Sequence, residues 1–170
     1  MSKEELLDIY DAAGKCIGTA PRRECHGNPA LLHHTAHVVV FHPKTGAILL
    51  QKRSKNKDIQ PGKWDTAVGG HLLPGEDYET GARRELAEEL GVSGPVVLKF
   101  LFDSEIRNEI ESEDVRVFGL WQADGFTFQR DEIDEIRFWS TEELSDPRNR
   151  RDFTPNLCAE LDRLCELGMI

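Results

Sequence analysis

Three glutamates, Glu85, Glu88 and Glu89, fall at positions i, i+3 and i+4 of a segment rich in helix formers. On a helix this spacing puts all three carboxylates on one face within a single turn. Like charges so close destabilise an isolated helix, and two arrangements resolve the conflict. Either Arg83 and Arg84 partly neutralise a solvated acidic face, or a divalent cation gathers the carboxylates, as Mg²⁺ does with carboxylate, water and phosphate oxygens. Just upstream stands Gly69-Gly70-His71-Leu72-Leu73-Pro74-Gly75-Glu76. It reads as a tight loop whose glycines let backbone carbonyls and amides approach a ligand closely.

The elements around this cluster follow from its flanks. A helix is expected from about Asp77 to Leu90, with Asp77 and Glu79 in the first turn and Gly91 at the C-terminal cap. Ala82, Leu86 and Leu90 give it an apolar stripe. Leu6 to Tyr10 and Cys16 to Ala20 flank Asp-Ala-Ala-Gly-Lys and read as strand, turn, strand. A linker-like stretch with Gly27, Asn28 and Pro29 leads to the apolar run His37 to Phe41, and a turn at Pro43 to Gly46 leads into Ala47 to Arg53. Ser54 to Lys63 is a polar loop, and Trp64 to Val68 a short strand ending at Gly69-Gly70. Further strands are expected at Val96 to Phe102, Asp114 to Gln122 and Glu135 to Trp139. Ser140 or Thr141 caps a short helix through Leu144, and Thr154-Pro155 starts a last helix that runs to about Leu167. No repeat or boundary divides the chain, so residues 1–170 read as one α/β domain, a mixed β-sheet flanked by helices.

The bulk properties narrow the partners. A formal net charge of −10 opposes nonspecific nucleic-acid binding, which needs a cationic surface. No apolar run approaches a bilayer span, so no membrane partner is expected, and the N-terminus MSKEELLDIY does not read as a leader, which points to the cytoplasm. Cys16, Cys25, Cys158 and Cys165 show no metal-binding spacing and read as buried or half-buried thiols. Trp64, Phe102, Phe118 and Trp121 read as core, with base stacking as the alternative. Nothing in the sequence fixes an oligomeric state.

The segment also reads Gly70, five residues, Glu76, seven residues, Arg84-Glu85-Leu86, one residue, Glu88-Glu89, one residue, Gly91-Val92. This is a complete match to the Nudix box, and the chain resembles the Nudix hydrolases, which act on nucleoside diphosphates linked to another moiety. The resemblance implies an α/β/α sandwich and a metal-dependent hydrolase of a small-molecule diphosphate, with Mg²⁺ or Mn²⁺ as cofactor. It implies Glu85, Glu88 and Glu89 as the catalytic metal shell, with a carbonyl of Gly69 or Gly70 as a further ligand and Glu85 as the alternative base. Glu76 and Arg84 become a structural pair, and Leu86 and Val92 core. A sensor without catalysis would have lost a box glutamate, and none is missing.

Outside the box, Ile17 to Glu24, Leu32-His33, Pro61-Gly62-Lys63-Trp64 and Gly70-His71 resemble the type I isopentenyl-diphosphate isomerases and their hydrolase-like relatives. That resemblance implies a second metal site from His26, His33, His71, Glu111 and Glu113, and diphosphate binding by Arg22, Arg53 and Lys57. The alternatives are a half-exposed strand entry for the histidines, a solvated loop for the lysines and arginines, and Glu111 or Glu113 alone completing the box metal shell. The isomerases place a cysteine where this chain has Gly69. Hydrolysis is therefore the expected reaction.

Overall fold

A computed structural model of the chain describes residues 4–170; residues 1–3, the start of the N-terminal stretch considered above, lie outside it. A nine-stranded mixed sheet forms its centre. The strands are β1 (Leu6–Tyr10), β2 (Cys16–Pro21), β3 (Leu32–Phe41), β4 (Ile48–Arg53), β5 (Trp64–Thr66), β6 (Val68–His71), β7 (Lys99–Arg107), β8 (Ser112–Trp121) and β9 (Ile133–Trp139). The helices are α1 (Arg22–Cys25), α2 (Tyr78–Leu90), α3 (Thr141–Ser145), α4 (Pro147–Arg150) and α5 (Pro155–Glu166).

Strand β3 organises the site. It pairs in parallel with β8 from Leu32 opposite Ser112 to Phe41 opposite Trp121. On its other edge it pairs antiparallel with β6, with Thr35 opposite His71 and His37 opposite Gly69. Alternation along the strand then sorts the side chains. Ala36, Val38 and Val40 pack with Leu86 and Leu90 of α2 on one face, while Val39 and Phe41 pack with Leu157, Leu161 and Leu164 of α5 on the other. This is the expected α/β/α layering. Each buried leucine contributes about 1.5–3 kcal/mol of burial free energy, so each helix is held by its stripe.

The caps agree with the sequence. Asp77 accepts the Thr80 amide, Gly91 closes α2 in the left-handed region at φ 65°, Ser140 and Glu143 form a capping box, and Thr154 caps α5 ahead of Pro155.

Several expectations need correction. Gly69, Gly70 and His71 belong to β6, because β3 offers them a free pairing edge; the tight turn begins only at Leu73, whose carbonyl accepts the Glu76 amide. The strand expected at Val96 to Phe102 runs instead over Lys99–Arg107, where β8 supplies partners, while Val96 and Leu98 pack beside the α2 cluster outside it. The stretch before Gly27 holds the short helix α1, and α4 was not anticipated. Cys16 and Cys165 are exposed, so only Cys25 and Cys158 fit the expected buried or half-buried thiols. Trp64, Phe102 and Phe118 are core as expected, whereas Trp121 stands partly outside, stacked on Phe41.

Candidate active site

The box residues assemble as the helix and strand registers require. Glu85 packs against Gly70 so closely that a Cβ there would lie 2.1 Å from the Glu85 Cδ. Only glycine permits that approach. One turn on, the Glu89 Oε2 accepts the Gly69 amide at 3.0 Å. Glu88 points outward, with its side chain 60% exposed, so two of the three glutamates meet the glycine pair.

Arg84 is the hub that holds them. It donates twice to Glu76, at 2.8 and 2.9 Å, to the His71 carbonyl at 2.9 Å, to Glu85 at 2.8 Å and to Glu88 at 3.2 Å. Glu76 also accepts the Leu73 amide at 2.6 Å. Burial would raise the Glu76 carboxyl, but these donors hold it below the ordinary range. Glu89 lacks such help. Burial and the neighbouring Glu85 carboxylate push it up to about 8, against one backbone donor. Burial also raises Glu85, with Arg84 opposing the shift.

A second cluster lies on the α5 face of β3. The parallel register sets His33 opposite Glu113, and the β6 register sets His71 opposite Thr35, two residues further along the same face. His26 reaches in from the C-terminal end of α1. One ligand atom from each of His26, His33, His71 and Glu113 lies within 4.8 Å of every other. The Glu113 Oε1 is 3.1 Å from both His33 Nε2 and His71 Nε2, and its Oε2 accepts the Thr35 hydroxyl at 2.9 Å. Glu111 joins at 3.5 Å from His26.

Burial would lower the His33 imidazole, but its hydrogen bond to Glu113 raises it. Burial and the neighbouring His71 lower His26 to about 4, so its ring is neutral at pH 7, with Nε2 3.2 Å from the His71 Nε2. Burial would raise Glu113, but His33 and His71 hold it well below the carboxylate range; Glu111 is pushed up to about 7 by burial and by Glu113. Imidazoles with carboxylates are the donor set of Zn²⁺, Mn²⁺ and Fe²⁺ sites.

The three basic residues each face an acid. Arg22 lies 3.7 Å from Glu5, Arg53 lies 3.5 Å from Asp65 and donates to the Ile59 carbonyl, and Lys57 pairs with Glu132.

One polar network escaped the sequence reading. Glu160 of α5, only 7% exposed, accepts the Thr66 hydroxyl at 2.6 Å and lies 2.8 Å from the His37 Nδ1. Asp65 accepts the Thr154 hydroxyl at 3.0 Å beside it. Burial alone would lower the His37 imidazole, but the Glu160 carboxylate holds it up at about 9. The signal was present: an acidic residue between Leu157 and Leu161 breaks the apolar stripe of α5.

A mixed sheet thus lies between helices, with two glutamates of α2 closing on a glycine pair of β6. Residues 31–157 match the family model described as the NUDIX domain. An uncharacterised Nudix hydrolase of Yersinia pestis is 34% identical over 156 residues, covering 89% of this chain and 81% of the relative. The isopentenyl-diphosphate Δ-isomerase of Nocardia farcinica is 39% identical over 87 residues, about half of each chain (51% and 49%). The crystal structure of DR0079 from Deinococcus radiodurans superposes with a TM-score of 0.77 at 23% identity, covering 94% of this chain and 98% of that one. The chain belongs to the Nudix hydrolase family.

Proposed function

We propose that this chain, as one Nudix unit, hydrolyses a diphosphate linkage in a nucleoside diphosphate derivative or similar small molecule with the help of Mg²⁺ or Mn²⁺, in the cytoplasm. The observation that carries the reading is the half-buried pair Glu85 and Glu89, which closes on Gly70 and Gly69 and which a divalent cation would complete. Glu85, Glu88 and Glu89 would hold that ion with a Gly69 or Gly70 carbonyl. Such an ion neutralises charge on the diphosphate and makes its bound water more acidic.

The protein groups have separate tasks. The Gly69 amide fixes Glu89, and Arg84 fixes Glu85 while tying β6 to α2 through the His71 carbonyl. Glu85 is the alternative base for the attacking water. His26, His33, His71 and Glu113, with Glu111, form a second site suited to a transition metal. Arg22, Arg53 and Lys57 would meet the diphosphate by exchanging Glu5, Asp65 and Glu132 for phosphate oxygens, which supply the local attraction that a net charge of −10 withholds.

The test is a panel of nucleoside diphosphates, dinucleoside polyphosphates, nucleotide sugars and isoprenoid diphosphates, followed by ³¹P NMR with Mg²⁺, with Mn²⁺ and with EDTA. Cleavage of the diphosphate into its two phosphorylated halves that needs the metal supports the reading. Turnover that survives EDTA, or none on any diphosphate, refutes it. Isopentenyl diphosphate in the panel tests isomerisation: with Gly69 in the cysteine's place, no allylic isomer should form.

A further inference from the structure

The glutamate at the centre of the histidine cluster divides its two oxygens between different partners. The Glu113 Oε1 lies 3.1 Å from both the His33 Nε2 and the His71 Nε2, while its Oε2 accepts the Thr35 hydroxyl at 2.9 Å. One oxygen faces the imidazoles. The other is engaged by the strand that carries one of them.

The register of the sheet makes this arrangement. His33 and Thr35 stand two residues apart on β3 and so face the same way. β8 sets Glu113 opposite His33, and β6 sets His71 opposite Thr35. Thr35 and Glu113 are each only 4% exposed. A buried hydroxyl costs free energy unless it is bonded, and valine matches threonine in shape and in preference for a strand. Further along the same face β3 indeed carries Val39. The hydroxyl at position 35 is therefore accounted for by the carboxylate it meets. His33 is braced in the same manner, for its Nδ1 lies 3.1 Å from the Leu31 carbonyl, which leaves Nε2 turned to Glu113.

We propose that Thr35 is a positioning residue of the histidine cluster. Its hydroxyl holds the Glu113 Oε2, so that the Oε1 alone is presented, beside the His33 and His71 Nε2 atoms, to a transition-metal ion. This rests on the second metal site proposed above. A carboxylate bound to a cation is only an acceptor, so the hydroxyl must be the donor. It pins a side chain whose two oxygens would otherwise exchange by rotation about its last bond. Losing such a partner of a metal ligand costs about 10- to 100-fold in metal affinity.

Co²⁺ is the probe, because its visible absorption reports both the amount bound and the ligands around it. The titration is run with Mg²⁺ in excess to occupy the box carboxylates. Thr35→Val removes the hydroxyl and keeps the shape; Thr35→Ser keeps the hydroxyl. Thr35→Val should bind Co²⁺ about 10- to 100-fold more weakly, with an altered spectrum, and Thr35→Ser should stay close to the parent in both. A hydroxyl that merely satisfies the sheet would change the urea denaturation of the metal-free protein and leave Co²⁺ binding alone. Parental affinity and spectrum in Thr35→Val therefore overturn the proposal. So does a Thr35→Ser variant as impaired as Thr35→Val, since the loss would then come from packing.

If circular dichroism shows Thr35→Val unfolded, Thr35→Ala, which adds no bulk, takes its place against Thr35→Ser. The two readings fail separately. No Co²⁺ bound by the parent, or as much bound by His33→Ala, removes the histidine site and this role with it. Binding that needs His33 and ignores Thr35 leaves the site and removes only this role.

Discussion

Replacing Glu89 by glutamine should raise the stability of the metal-free protein while removing its activity. The ordinary carboxyl value is 4.5, and the folded protein lifts Glu89 to about 8. A carboxyl raised on folding favours the protonated form in the native state, so its contribution to stability is intact below 4.5 and is lost as pH rises towards 8. At about 1.36 kcal/mol per pH unit the loss is under about 1 kcal/mol at pH 5, about 3 kcal/mol at pH 7 and about 5 kcal/mol above pH 8. Glu89 is only half-buried by surface area, so water softens these figures, and a gain of about 1–3 kcal/mol at pH 7 is expected. The amide oxygen of the Glu89→Gln side chain can still accept the Gly69 amide, so the brace survives the substitution. Urea denaturation in EDTA from pH 5 to 9 measures the difference, which should open with pH and shrink when Mg²⁺ stabilises the parent. Turnover should fall by about 10²–10³-fold, mainly in kcat. A variant less stable than the parent at pH 7, or a difference flat in pH, refutes the buried-charge argument. Near-parental turnover refutes Glu89 as a ligand.

Three further substitutions test the remaining parts of the site. His33→Ala should lower the transition metal bound after chelator-free purification, and equal metal in both proteins by elemental analysis rejects the histidine site. Gly70→Ala puts a methyl 2.1 Å from the Glu85 Cδ and so displaces that carboxylate; kcat should drop by about 100-fold or more, and unchanged kinetics would show that Glu85 has no fixed role. Arg84→Ala strands Glu76 and the His71 carbonyl and should cost about 2–4 kcal/mol in a denaturant titration, with a loss under about 0.5 kcal/mol disproving the hub.

How much of this was legible depended on whether a signal was local. The helix α2, its Asp77 and Gly91 caps and its Ala82-Leu86-Leu90 stripe all lie within a few turns of chain, where spacing maps directly onto geometry, while the Glu76–Arg84 pair followed from family likeness. The β6 assignment was missed because two consecutive glycines carry turn propensity, and only the edge of β3, some thirty residues earlier, makes them a strand. The gathering of His26, His33, His71 and Glu113 followed from family likeness, since no spacing in one sequence shows that β3 and β8 pair in parallel. His37 and Glu160 were harder still. They stand 123 positions apart, and His37 merges at its end with an apolar run, leaving an acid in the α5 stripe as the only cue.

The parallel pairing of β3 with β8 also fixes when the histidine cluster can exist. His33 and Glu113 are 80 positions apart, and β8 cannot dock until it has been made and has left the ribosome. At about 5–20 residues per second, His26 and His33 wait roughly 4–16 s for their carboxylate partner. His26 at the end of α1 and His33 on β3 would, without Glu113, hold a cation far more weakly than the assembled cluster. Any ion the cluster holds would therefore be captured only after most of the chain is synthesised.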